Sequence, residues 1–181
     1  TDISLKTHHG ETDKRENIRK GSKMKERGCS CPGSMTIDRR AEDKQTKESS
    51  AKVTSQLRQW PIQLHLIGPE APYYQGADVL LVADCVAYAL GGFHPEYLKG
   101  KSIAIACPKL DEGQDIYAEK IKSWLEDAKI NTLTVMIMEV PCCMGLSAIA
   151  ESAMTASKRK VPLKRITVGL DGNIRKEEWI T

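Results

Sequence analysis

From residue 62 onward the apolar residues fall into short runs separated by segments of helical period. Leu64 to Ile67, Val79 to Ala83, Ile103 to Ala106, Leu133 to Met138 and Ile166 to Gly169 are rich in β-branched or large aliphatic side chains and bounded by Gly, Pro or Asp, which predicts five strands. Between them, Ile116, Tyr117, Ile121, Trp124, Leu125 and Ala128 form one apolar helical face, and Leu146, Ile149, Ala150 and Ala153 form another. The stretch from Val86 to Leu98 predicts a shorter helix, broken by Gly91, Gly92 and Pro95. Near-continuous apolar strands alternating with amphipathic helices predict an α/β domain with a parallel sheet covered by helices on both faces, layered like a Rossmann or flavodoxin fold. Asp171-Gly172, between Val168 and Ile174, predicts a hairpin that adds an antiparallel edge.

Residues 1–55 read differently. They are rich in Lys, Arg, Glu, Asp, Ser and Thr, lack aromatic residues, and offer little to bury against the entropy of ordering. The pattern divides the chain into a polar N-terminal arm, residues 1–55, and an α/β domain, residues 56–181. The arm carries one loop of different character, Gly28-Cys29-Ser30-Cys31-Pro32-Gly33-Ser34.

Composition narrows the classes. The net charge of +3 over 181 residues makes no demand for nucleic acid. No run approaches the roughly 18 apolar residues of a membrane span, and the polar beginning has no secretory h-region, so a cytoplasmic protein is expected. Gly100-Lys101-Ser102 imitates the end of a phosphate-binding loop, but Pro95 stands where its first glycine should be and the segment leads into a predicted strand.

Six cysteines carry the candidate chemistry: Cys29, Cys31, Cys85, Cys107, Cys142 and Cys143. A disulfide framework belongs to small secreted domains that lack a core, a class this chain does not fit. Cys85, Cys107 and Cys142-Cys143 each follow a predicted strand, and in an open parallel sheet the carboxyl ends share the edge where ligands bind. Topology alone should therefore gather four thiols. Pro108 after Cys107 stops the strand, and Pro141-Cys142-Cys143 lies before a helix predicted to begin near Leu146, whose amino-terminal dipole should favour thiolate. Four clustered thiolates suit an iron–sulfur cluster or zinc. Zinc is the alternative, although Cys29-Ser30-Cys31 has only one residue between its thiols where zinc knuckles have two to four. Of the histidines, His65 reads as packed within a strand, His94 as a possible extra ligand, and His8 and His9 as solvated.

The chain resembles a family of iron–sulfur cluster-binding proteins of anaerobic bacteria and archaea, often described as 4Fe-4S ferredoxins. The resemblance rests on Cys31-Pro32-Gly33-Ser34, Leu57 to Leu66, Ala83-Asp84-Cys85, Leu98-Lys99-Gly100, Cys107-Pro108-Lys109-Leu110-Asp111, Glu139-Val140-Pro141-Cys142-Cys143 and Gly169 to Gly172. It implies an iron–sulfur cofactor more than a particular reaction. It also departs: the ferredoxin module C-x2-C-x2-C-x3-C-P is absent, which makes another subunit or a ferredoxin the expected redox partner, and Met144 stands where glycine is implied.

The leading expectation is an electron-transfer protein with one [4Fe-4S] cluster on Cys85, Cys107, Cys142 and Cys143, with Lys109 a candidate to tune its potential. Cys31, and less surely Cys29, would turn toward the site. With those thiols included, the alternative is an oxidoreductase whose five- or six-cysteine cluster, larger or non-cubane, acts on a substrate, like those bound by the CCG motifs of heterodisulfide reductases. A third reading is a metal- or redox-sensing module that meets its partner through the arm and Lys158-Arg159-Lys160.

Overall fold

The computed structural model describes residues 52–180, so Cys29, Cys31, His8 and His9, and all but the end of the arm, lie outside the described residues. The described chain forms β1 (Asp78–Ala83), α1 (Val86–Ala89), a π-helical segment (Phe93–Leu98), β2 (Ser102–Ala106), α2 (Gln114–Glu126), β3 (Thr132–Met138), α3 (Pro141–Ala156), β4 (Leu163–Val168) and β5 (Ile174–Trp179). The five strands lie in the order β2-β1-β3-β4-β5. All pairings are parallel except β4 with β5, the hairpin edge expected from Asp171-Gly172.

β1, β2 and β3 are apolar without alternation because they are buried on both faces. In β1, Val79, Leu80 and Leu81 are fully buried, as are Leu133, Val135, Met136 and Ile137 in β3. The connection from β1 steps to one side and those from β2 and β3 step to the other, so right-handed crossovers place α1 and the π-helical segment on one face and α2 with α3 on the opposite face. Tyr117, Ile121, Trp124 and Leu125 bury the inner side of α2, and the Trp124 ring lies tilted against Tyr74, with centroids 4.9 Å apart. Cover on the α1 face is slighter than the sequence implied. A groove of about 430 Å³ lies open there between Tyr97, Lys101 and the strand residues Thr134, Lys164 and Ile166.

The expected strand over Leu64 to Ile67 does not form. A single bridge, Gln63 to Ile105, touches the outer edge of β2, after which the amides of Leu66 and Ile67 both donate to Gln63 O and the chain turns away. Lys120 holds the turn by donating to the carbonyls of Leu64 (2.8 Å), His65 (2.7 Å) and Ile67 (3.0 Å). His65 is consequently exposed and lies against Tyr117 at 4.6 Å, instead of being packed inside a strand. Apolar content recorded burial of Leu64 and Ile67, and a turn can satisfy that as well as a strand.

The hairpin turn is seated on α1. Gly172 has φ +81°, and a Cβ there would stand 2.4 Å from the backbone oxygen of Ala89. Gly172→Ala should therefore lower stability by about 2 kcal/mol or more from the left-handed backbone alone, with the carbonyl clash adding to it, as read from a denaturant midpoint.

Candidate metal centre at the carboxyl edge

The strand order decides which strand ends carry the four cysteines side by side. β1 lies between β2 and β3, and Cys85, Cys107 and the Cys142-Cys143 pair follow these three adjacent strands. The register Ala83↔Ala106 brings Asp84 and Cys85 abreast of Cys107. The chains leaving β1 and β3 go to opposite faces, which opens the crevice where α/β sheets bind ligands. Cys85 and Cys142-Cys143 flank it. All four cysteines are free thiols, and burial deepens from Cys85, exposed, through Cys107 and Cys142 to Cys143, buried.

Helix α3 begins at Pro141, five residues before the position expected from its apolar face. Proline is suited to the first helical position because its missing N–H would be unpaired there anyway. Cys142 and Cys143 thus lie within the first turn, and the Cys143 amide donates to Val140 O at 3.1 Å. The expected thiolate preference is not realised at Cys143. Burial pushes its thiol up, a backbone hydrogen bond with Met138 offsets this in part, and neighbouring Cys142 pushes it further. At Cys85, burial again comes first, followed by the charges of Cys107, Asp84 and Cys142, all raising the thiol. At Cys85 and Cys143, burial and neighbouring charge thus disfavour anionic sulfur.

Close approach between the elements occurs at Gly145, one residue beyond Met144. Met144 is half exposed and points away from the core, whereas a Cβ on Gly145 would stand 3.2 Å from Cβ of buried Pro108. The first turn of α3 therefore rests on the loop that carries Cys107.

That loop is held by a network of residues to which the motifs gave no role. Asp111 Oδ2 accepts the Cys107 N–H (2.8 Å), the Tyr117 hydroxyl (2.6 Å) and Gln63 Nε2 (3.2 Å). The amides of Leu110 and Asp111 return to Cys107 O. The available signal was spacing: an aspartate four residues after Cys107 can reach back to that amide. Burial pushes the Asp111 carboxyl up, but the hydrogen bonds from Tyr117, Cys107 and Gln63 and the nearby His65 hold it below its ordinary value. Asp84 behaves oppositely. Burial and then the charge of Asp111 raise its carboxyl, and Oδ1 is buried with no hydrogen-bond partner among the described residues.

Other candidates are occupied elsewhere. His94 Nδ1 accepts the Gln56 amide at 3.1 Å, and its ring meets Phe93. Lys109 is exposed. Arg159 donates to Ile130 O at 2.7 Å, and Lys160 to the carbonyls of Met154, Thr155 and Ser157 at the carboxyl end of α3. Two of the three residues in that basic run are therefore committed to the fold.

As they stand, no three or more His, Cys, Asp or Glu side chains among the described residues are grouped closely enough to hold one metal ion. Four thiolates on one zinc would lie about 3.8 Å apart, from tetrahedral geometry at a Zn–S bond of about 2.3 Å. A cluster in which each thiolate takes its own iron spreads its ligands more widely, as across three strands about 4.8 Å apart. The donor set of four thiols beside an unpartnered carboxylate oxygen fits a cationic, sulfur-seeking group.

Two measurements test this construction. Gly145→Val should force α3 away from Pro108 and lower stability by about 1–3 kcal/mol in a denaturant titration. Asp111→Asn should lower stability at neutral pH. Because the Asp111 carboxyl is depressed, its contribution is fully present above the unfolded value of about 3.9 and fades as pH falls through the lower folded value. The gap between the two proteins should accordingly close in acid.

The comparisons with known proteins bear on the scaffold. An uncharacterized protein of Archaeoglobus fulgidus is 27% identical over 121 residues, covering 66% of this chain and 83% of that protein. No solved structure gives a significant match. The model of the Rossmann-like domain matches residues 71–181, more than half of the chain and all four cysteines of the carboxyl edge. With the strand order, the crossovers and the crevice in agreement, the chain belongs to the Rossmann-like domain family.

Proposed function

We propose that this protein is an iron–sulfur redox protein in which Cys85, Cys107, Cys142 and Cys143 hold a cluster, most simply [4Fe-4S], for electron transport. The observation that carries this reading is the placement of four free cysteines at three adjacent strand ends, along one crevice. Such a cluster, when bound, supplies one-electron exchange. The chain's part is to hold and tune it. Asp111 and Tyr117 fix the Cys107 loop, Gly145 lets α3 close on Pro108, and the first turn of α3 carries Cys142 and Cys143.

A protein partner, such as a ferredoxin or another iron–sulfur subunit, is supported by the rim of the site. Tyr88 is 94% exposed, Leu110 81% and Met144 48%, and each lies within three residues of a ligand cysteine, where solvent exposure of large apolar groups is costly unless another surface covers them. Among the described residues no helix is long and apolar enough to cross a membrane. Free thiols at this density suit the reducing cytoplasm.

Anaerobic reconstitution of the full chain should yield bound iron and acid-labile sulfide in equal amounts, with an electron paramagnetic resonance signal on reduction. Alanine at any one of Cys85, Cys107, Cys142 or Cys143 should lose or degrade the cluster. Cys31→Ala should do the same if that thiol is a fifth ligand, and Cys29→Ala tests its neighbour. No iron in the wild-type protein, full iron in all four edge variants, or zinc held in preference to iron would overturn the reading.

A further inference from the structure

Two carboxylates stand at the cysteine edge, and the fold treats them in opposite ways. Asp111 is saturated by the Cys107 amide, the Tyr117 hydroxyl and the Gln63 side chain. Asp84 stands at the end of β1, one residue before Cys85. Only two buried side-chain polar atoms lack a hydrogen-bond partner among the described residues. One is the indole nitrogen of Trp124, within the core between α2 and the sheet, and the other is Asp84 Oδ1, at the mouth of the crevice.

A donor for Asp84 would have been easy to place. Asp84 already joins the sheet through its backbone, its amide donating to Ala106 O at 3.3 Å. Serine or asparagine at the end of β1 would preserve that bond without leaving a carboxylate oxygen desolvated beside a second carboxylate. Groups that cost the fold stability and make no internal contact are found where function needs them.

We propose that Asp84 is the potential-setting residue of the cysteine edge, a carboxylate left without an internal donor so that its negative charge acts on the group held by the four thiolates. The inference rests on the iron–sulfur reading. Reduction adds negative charge to a thiolate-bound cluster. A carboxylate beside it, partly removed from water, raises the energy of the reduced state more than that of the oxidised state. Lys109, of opposite sign, is exposed, and solvent screens it. Asp84 therefore holds the potential low, and Asp111, its charge already spent on three donors, holds geometry.

The experiment compares the full chain carrying Asp84→Asn, Asp84→Glu or Asp111→Asn, each measured metal-free by thermal unfolding and, after anaerobic reconstitution, by redox titration followed with electron paramagnetic resonance. Asp84→Asn should raise the unfolding midpoint of the metal-free protein and shift the loaded protein to a more positive potential. Asp84→Glu should keep the wild-type potential, and Asp111→Asn should lower the unfolding midpoint. A metal-free Asp84→Asn protein that melts at or below the wild-type temperature would show that the carboxylate is a structural strut. An unshifted or more negative potential, or loss of iron from that variant alone, would also overturn the proposal. A wild-type chain that assembles no cluster is seen before any variant is made, and it rejects the proposed function and this inference with it.

Discussion

β1 is hydrogen-bonded on both sides by parallel strands, and the chains leaving it and leaving β3 cross to opposite faces of the sheet. Every feature of the carboxyl edge depends on that arrangement. A parallel sheet requires crossovers, crossovers are right-handed, and a chain that steps first to one side and then to the other must leave a gap between the two turns it makes. Cys85 stands on one side of that gap and Cys142-Cys143 on the other, with Cys107 on the next strand end. The core that anchors the strands, from Val79 to Leu81 and from Leu133 to Ile137, is what makes the positions of these sulfurs reproducible.

The edge is built to hold its thiols before any ligand arrives, and it does so against their chemistry. Burial raises Cys85 and Cys143, and crowding with neighbouring thiols adds to it. The loop from Cys107 to Asp111 shows how the backbone meets that demand: Asp111 gathers three donors, one of them the amide of Cys107 itself, and Pro108 is pinned under Gly145. Geometry is held by saturated groups, while Asp84 Oδ1 is left unpartnered.

Much of this was legible in the chain. Non-alternating apolar runs announced a parallel sheet buried on both faces, Asp171-Gly172 announced the hairpin, and cysteines placed after strands announced a shared edge. Period and turn chemistry are local properties, and local properties survive into the fold. Where local signals were ambiguous the reading failed. Leu64 to Ile67 had the composition of a strand but forms a turn pinned by Lys120, fifty-odd residues away in sequence, and His65 moved from an expected interior to the surface with it. Arg159 and Lys160, read as part of a surface for a partner, also hold the fold, Arg159 through Ile130 O and Lys160 through carbonyls at the carboxyl end of α3.

By itself, then, the sequence determined the class of fold and the set of four thiols, because both follow from patterns within a few residues of each cysteine. Only the tertiary structure decided that β1 lies between β2 and β3, and hence which cysteines are neighbours, since strand order is set by the packing of α2 against α3 and of α1 on the other face. The same is true of the carboxylates. Spacing from Cys107 lets Asp111 reach back to that amide, but nothing local says that Asp111 gains two further donors while Asp84 gains none. Tyr117 and Gln63 reach one and not the other, and hydrogen bonds between residues far apart in the chain exist only once the sheet has brought their elements together.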